Sequence, residues 1–136
     1  MFSDIAWERH IIAEFPDIQF YDYTKNPRRV PATLSNYHLT FSRSETNEKD
    51  CVRVLENGGN VAVTFADTSR NFVGNRSGLQ ALPGRWKGFR VVDGDTSDLR
   101  FEDEQGVVVG LRLKAHSTIE RTRAIDSGFA VVVGDE

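Results

Sequence analysis

Apolar and polar positions alternate along two short stretches near the amino terminus, and each stretch ends in hydroxyl and charged side chains. Residues 18–23 and 37–42 carry this period of two, which predicts a pair of β-strands. Residues 24–36 between them contain two prolines and no period, and are predicted to form a loop. Since open α/β sheets keep their sites at the carboxyl ends of strands, the polar endings mark a surface of interest.

A helix and a third strand follow the second stretch. Cys51, Val52 and Leu55 are spaced for one face of a helix over residues 44–57. The pair Gly58-Gly59 is a typical helix stop, and residues 60–66 then alternate apolar and small side chains. This strand, helix, strand order predicts a β-α-β unit with a parallel crossover.

The remaining pattern predicts a helix over residues 4–15, a long loop over 67–84 and a strand over 88–92. A hairpin is predicted to pair residues 99–103 with 107–113, and a last strand to cover 128–133. The fold class expected is α/β with mixed strand directions. It is either a partial barrel or an open mixed sheet, with the β-α-β unit and a C-terminal antiparallel hairpin extension, in one domain over residues 1–136.

Composition narrows the function classes. Seventeen basic against twenty acidic side chains in 136 residues give a net charge of -3, which argues against a general nucleic-acid binder and against an acidic DNA mimic. No apolar run approaches the 18 or so residues that span a bilayer, so no membrane contact and a location in the bacterial cytoplasm are expected. Cys51 is the one cysteine, which excludes an intrachain disulfide and a thiolate metal cluster within the chain.

Polar side chains on the first two predicted strands and at their ends form a candidate catalytic set, called the strand-end set below. If the protein is an enzyme, Asp22, Lys25, His38, Ser42 and Arg43 are the residues expected to converge at one edge of the sheet. The alternative is structural. Ser44 and Asn47 would cap the following helix, Asp22 would pair with Lys25 or an arginine, and His38 would be a hydrogen-bonded structural histidine.

Two basic segments are candidate partner-binding surfaces. Arg85, Trp86, Lys87 and Arg90 interleave cations with aromatic side chains, and Arg28 and Arg29 follow Lys25 closely. This composition fits contacts with phosphates or bases, and if the partner is a protein, Trp86 and the arginines are the best hot-spot candidates. The alternative is that both segments are solvated loops.

The densest carboxylate cluster is the segment 93–98, in which Asp93, Asp95 and Asp98 alternate with small residues. Such oxygens suit calcium or magnesium, but the segment lacks the length and terminal glutamate of an EF-hand, and aspartate and glycine also favour plain turns. We therefore predict no metal site, with these three aspartates as a weak alternative. Because the chain has no phosphate loop, dinucleotide fingerprint or nucleophile elbow, no cofactor is predicted.

Several of these segments together resemble the C-terminal part of a phage- and plasmid-borne family of α/β proteins without an assigned function. The resembling segments are residues 15–27, 37–44, 61–65, 92–101 and 108–111. The resemblance implies longer relatives with a cysteine-containing, radical-SAM-like upstream half. A single cysteine leaves no three-cysteine set for an iron–sulfur cluster in this chain.

The resemblance favours a small mobile-element protein that binds a host or phage protein complex, for example an inhibitor of host defence such as CRISPR interference. Two alternatives stay open. One is a small enzyme, or an enzyme-derived ligand-binding domain, that uses the strand-end set; the other is a nucleic-acid-binding accessory protein that uses the basic loops. Homodimerisation is a further expectation, because a half-barrel would leave sheet edges to be closed.

Overall fold

The computed structural model describes residues 8–30, 32, 34–66, 81–96 and 103–133. The helices there are α1 (Glu8–Glu14), α2 (Glu48–Glu56) and α3 (Thr118–Asp126), with a 3-10 turn at Pro27–Arg29. The strands are β1 (Phe20–Thr24), β2 (Tyr37–Ser42), β3 (Asn60–Ala66), β4 (Arg85–Trp86), β5 (Phe89–Asp93), β6 (Val108–Arg112) and β7 (Val131–Val132). No helix of this part of the chain is both long enough and apolar enough to cross a bilayer.

The described strands form one open mixed sheet in the order β1-β2-β3-β6-β5-β4, with β7 paired to the end of β3. Neighbouring strands run parallel from β1 through β5, whereas β4 and β5 are antiparallel. The α/β class with mixed strand directions is therefore confirmed, and its open form is the one observed over the described residues. The carboxyl ends of five parallel strands share one edge, and their amino ends share the other.

The β-α-β unit lies where the pattern predicts it. β2 and β3 are parallel neighbours joined through α2. Val61, Val63 and Phe65 of β3 are all fully buried, and they belong to one core cluster with Cys51 and Val54 of α2. The predicted apolar face of α2 thus covers one face of the sheet, which we call the α2 face.

The predicted hairpin of residues 99–103 with 107–113 is only partly described, because residues 97–102 lie outside the described residues. Its second arm is β6, which is paired in parallel with both β3 and β5 and is therefore a central strand. The physical reason is visible in Val107, Val108 and Val109, which are at most 4% exposed. A run buried on both faces is typical of the interior of a parallel sheet.

Other boundaries shift by a few residues. α1 begins at Glu8 in the described chain and β1 ends at Thr24. The last strand is shorter than predicted, at Val131–Val132. Residues 1–7, which include the start of the first predicted helix, residues 67–80 of the predicted long loop and residues 134–136 lie outside the described residues.

Candidate functional site

The structure does not gather the strand-end set on one surface. Asp22 pairs in register with Leu39, so both lie on the α2 face, whereas His38 and Ser42 occupy alternate positions of β2 and point to the opposite face. Asp22 is 3% exposed. A carboxylate buried on one side of a sheet cannot orient an imidazole on the other side, so this set does not form an acid-base-nucleophile constellation.

Asp22 and its neighbours serve the local backbone. Oδ1 of Asp22 accepts a 2.8 Å hydrogen bond from the amide of Tyr23. Oγ1 of Thr24 accepts a 3.0 Å bond from the amide of Asn26. Lys25 is exposed beside this turn. These contacts shape the exit of the chain from β1.

His38 shares its face with Thr40 and Ser42, as the alternation predicts. Nε2 of His38 lies 3.3 Å from Oγ1 of Thr40, which is fully buried. Ser42 and His38 are half-buried. The imidazole therefore has a hydroxyl neighbour within its own strand, which is the structural role expected as the alternative to catalysis.

Arg43 is a buried structural residue at the end of β2, with 7% of its surface exposed. Its Nη1 donates to the carbonyls of Gly128 and Phe129 at 2.9 and 2.7 Å, and its Nη2 donates to Glu48 at 2.8 Å. The guanidinium thereby fastens the segment before β7 to the start of α2. This engagement removes Arg43 as a ready ligand for a substrate anion.

Asn47 occupies the N-cap position of α2, but its side chain makes no capping bond to the helix. Instead Oδ1 accepts a 2.7 Å bond from the amide of Ser44 and Nδ2 donates to the carbonyl of Ser42 at 3.0 Å. The amide side chain fixes the turn from β2 into α2. Sequence reasoning named the residue correctly and its partners incorrectly, because an N-cap and a loop brace use the same residue types.

The segment 85–90, called the basic hairpin below, consists of β4, a two-residue turn and the start of β5. Lys87 and Gly88 have φ of 52° and 86°, the two positive values of a type I′ turn. Trp86 is 1% exposed and belongs to the core cluster, so it anchors the hairpin from inside. Its indole is not available as a surface contact for a partner.

The arginines of the basic hairpin lie on its exposed side. Arg85 and Arg90 are register partners across the two strands and both are exposed. Nη1 of Arg85 donates to the carbonyl of Gly88 at 2.8 Å, and Arg90 forms an ion pair with Glu104. Lys87 lies 3.5 Å from Glu48, the same carboxylate that Arg43 binds.

The second basic segment is the 3-10 turn after β1. The side chain of Asn26 accepts a 3.1 Å bond from the amide of Arg28, which caps the turn. Arg28 is exposed, whereas Nη2 of the half-buried Arg29 lies 3.4 Å from the hydroxyl of Tyr37. Of this pair, Arg28 presents the more accessible guanidinium.

The acidic turn binds an arginine. Nη1 and Nη2 of Arg112 each donate to one oxygen of Asp93 at 3.0 Å, and Nη1 also lies 2.9 Å from Asp95. These bonds hold the pKa of Asp93 below its usual range and raise that of Arg112. Oxygens that a guanidinium already neutralises are poor cation ligands, and among the described residues no cluster of His, Cys, Asp and Glu could hold a metal. Asp98 lies outside the described residues.

A cleft that the sequence analysis did not anticipate lies at the opposite edge, and we call it the amino-edge cleft. It has a volume of about 360 Å³ and collects residues just before or at the start of four parallel strands. Gln19 precedes β1, Tyr37 and His38 begin β2, Asn60 begins β3 and Gln105 precedes β6. The Asn and Gln side chains of the cleft come from segments that are separate in sequence. Since polar residues outside strands are ordinarily interpreted as turn formers, no sequence pattern indicates that they meet.

The family model of gene product 88 matches residues 1–132. No curated protein and no solved structure matches the chain. The family match spans almost the whole sequence and is consistent with the phage-type family that the resemblance indicated. This chain is a member of the gene product 88 family.

Proposed function

We propose that the protein acts by binding a macromolecular partner through the basic hairpin. The observation that carries the proposal is the pairing of Arg85 with Arg90, two exposed like charges directly opposite each other. Such a cross-strand pair destabilises a hairpin. Arg85 binds the carbonyl of Gly88 and Arg90 pairs with Glu104, but neither contact requires a second cation on the opposite strand. An acidic partner would convert the repulsion between the two arginines into affinity.

The rest of the hairpin is built to hold those arginines still. Trp86 is buried in the core, and the Lys87-Gly88 turn adopts the backbone conformation that matches the twist of paired strands. A preorganised surface loses little conformational entropy when it binds. This supports a contact surface in preference to a solvated loop.

An acidic protein surface is the partner chemistry we favour. The chain has a net charge of -3, which disfavours the broad phosphate contacts of a nucleic-acid binder. Within this proposal, an inhibitor of host defence of the anti-CRISPR kind is the more specific form. If the longer relatives that the resemblance implies are enzymes of the radical-SAM kind, those proteins would carry the chemistry and this chain would carry the binding.

The enzyme alternative has weaker support in the geometry. It needs Asp22, His38 and Ser42 together, and the strand register separates Asp22 from the other two. Arg43 is engaged by two carbonyls and Glu48. The strand-end set therefore explains the packing of the sheet edge better than it explains a reaction.

The decisive experiment is capture of a partner from host lysate by the immobilised protein, followed by binding measurements with the purified partner. Arg85→Glu places a carboxylate opposite Arg90, which removes the like-charge repulsion and should leave the hairpin at least as stable. The proposal expects this variant to keep its Tm and to bind the partner at least about tenfold more weakly, as for a hot-spot arginine.

The matched control is Arg123→Glu, the same charge reversal at an exposed position of α3. It should leave partner binding unchanged. Equal binding by wild type and Arg85→Glu would remove the basic hairpin from the interface. If nuclease treatment abolishes capture, the partner is nucleic acid, and the protein-binding proposal fails. Native mass measurement of the same preparation tests the expected homodimer.

A further inference from the structure

The amino-edge cleft is the strongest feature that the proposed function does not use. It lies at the amino ends of β1, β2, β3 and β6, far along the strands from the polar strand ends at the carboxyl edge. Its volume of about 360 Å³ falls within the range of small-molecule sites in proteins. Size alone permits a ligand; the chemistry of the lining selects one.

The lining is polar, and among its described residues only His38 has a basic side chain. Its described residues include no Asp, Glu, Lys or Arg, while three of the carboxamides, those of Gln19, Asn57 and Gln105, are on exposed residues. Carboxamides offer donors and acceptors side by side. Nδ2 of Asn57 donates to the carbonyl of Arg53 at 2.9 Å, which leaves its oxygen and its second N–H for a ligand. An ionic ligand would lose hydration here without meeting a countercharge, so the cleft suits a neutral molecule with both kinds of hydrogen-bonding group.

An apolar portion completes the lining. Val30, Leu34 and Leu39 contribute aliphatic side chains, and Tyr37 contributes an aromatic one. Leu39 and Tyr37 are held within the core cluster, at 4% and 7% exposure. Apolar surface beside carboxamides is a combination that accommodates the faces and the edges of a heterocyclic base.

Two glycines keep the cleft in shape. A Cβ at Gly59 would lie 2.7 Å from both Val30 and Val54, so only glycine lets the loop after β1 pack this closely on the end of α2. Gly58 has φ of +84° and open space at its Cβ position. Asn60 braces the other side, because its amide accepts from Val107 and donates to the carbonyl of Glu104. A cleft fixed this way is formed before any ligand arrives.

We propose that the amino-edge cleft binds an uncharged nucleobase, carried as a nucleoside, with the base edge on the carboxamides of Asn57 and Gln105 and the base face against the apolar portion. This inference is independent of the basic hairpin, which lies on β4 and β5. A phosphate on the ligand weakens binding, since no Lys or Arg lines the described part of the cleft.

The test is a titration of the isotope-labelled protein with adenosine, guanosine, cytidine and uridine, and with their 5′-monophosphates, followed by amide chemical shifts. At least one nucleoside should shift the amides of residues 57–60 and 105, and bind more tightly than its monophosphate. Gln105→Leu should weaken that binding about three- to tenfold, the net effect of one hydrogen bond. Ser35→Trp, which places a large side chain on an exposed lining residue, should abolish it.

Thr122→Leu, an apolar substitution at an exposed position of α3, is the matched control and should leave nucleoside binding unchanged. Arg85→Glu should also leave it unchanged, which separates this inference from the proposed partner surface. The inference is overturned if no nucleoside produces shifts at millimolar concentration. It is equally overturned if the shifts fall outside the cleft, if Gln105→Leu binds as wild type does, or if the monophosphates bind more tightly and shift residues 85–90.

Discussion

Glu48 accepts a 2.8 Å hydrogen bond from the buried guanidinium of Arg43. Its second carboxylate oxygen lies 3.5 Å from Nζ of Lys87 at the tip of the basic hairpin. Arg43 in turn holds the carbonyls of Gly128 and Phe129. Glu48, directly and through Arg43, therefore links the turn between β2 and α2 to the hairpin and to the segment that leads into β7, both of which are far away in sequence.

Replacing that carboxylate should cost stability. Glu48→Gln keeps the shape but leaves the guanidinium of Arg43, 7% exposed, without its anion. We expect the free energy of unfolding to fall by about 1 kcal/mol, toward the low end for a charged hydrogen bond because the Glu48 side chain is itself partly exposed. Urea denaturation at neutral pH measures the change. Glu45→Gln, at an exposed position of the same turn, is the control and should change stability by less than about 0.5 kcal/mol.

The same contact predicts how stability depends on pH. The hydrogen bond from Arg43 lowers the pKa of Glu48 from its ordinary value of 4.5. Because the folded-state pKa is depressed, the contribution is fully present above the unfolded value and is lost as pH falls through the folded one. The stability gap between wild type and Glu48→Gln should thus be constant from neutral pH down to about 4.5 and close below it. A gap that stays as wide at acidic pH as at neutral pH would contradict this assignment.

The apolar periodicity and the Gly58-Gly59 stop predicted the β2-α2-β3 unit, because side chains that set the local pattern are also buried in the core. Cys51 and Leu55 are spaced for a helical face and are buried on that face. α3 was missed because its apolar side chains form no stripe, and Ile119 is 65% exposed. The usable signal was Ser117 followed by Glu120: the serine caps the helix and the glutamate accepts from the amide of His116.

Trp86 should act through the core. At 1% exposure, its replacement by alanine leaves a large cavity, and Trp86→Ala is expected to lower the free energy of unfolding by about 3–5 kcal/mol. Trp86→Phe should cost clearly less, because it refills most of the volume. Arg85→Ala, at the exposed neighbouring position, should stay within about 0.5 kcal/mol of wild type. Denaturation curves for the three variants separate a core tryptophan from a surface contact, for which the first two would resemble the third.

The candidate sites were harder to predict than the strands, for a reason that Asp22 and Arg43 illustrate. The sequence places polar residues at strand ends, but the choice between a site and a structural bond depends on which face each side chain takes and on distant partners. Arg43 donates to the carbonyls of Gly128 and Phe129, which lie more than eighty positions later in the chain. Backbone carbonyls at such separations leave no local pattern in the sequence.

Divalent cations should not stabilise the protein. Asp93 and Asp95 are both bound by Arg112, at 3.0 and 2.9 Å. If calcium displaced the guanidinium, Arg112 would lose both of its anionic partners. We expect Tm to be unchanged by millimolar calcium or magnesium, since a ligand that binds the native state must raise it. Arg112→Gln, by contrast, should lower stability at neutral pH. A rise in Tm with calcium that Asp95→Asn abolishes would contradict the assignment.

Cys51 offers a direct probe of whether the α2 face is closed. The thiol is fully buried in the core cluster, and burial raises its pKa to about 12. Because the thiolate is the reactive form, a thiol with this pKa is inert at neutral pH while α2 stays packed. Ellman's reagent should therefore modify the native protein only through opening of the fold, at a rate that rises with urea as the unfolded fraction does, and modify the denatured protein at once.

Since the chain has one cysteine, the signal needs no further mutation to interpret. Trp86→Ala should accelerate the reaction by the factor by which it raises the unfolded fraction, and Thr122→Leu should not accelerate it. Rapid modification of the native wild type without urea would show that the helix does not cover this face of the sheet in solution.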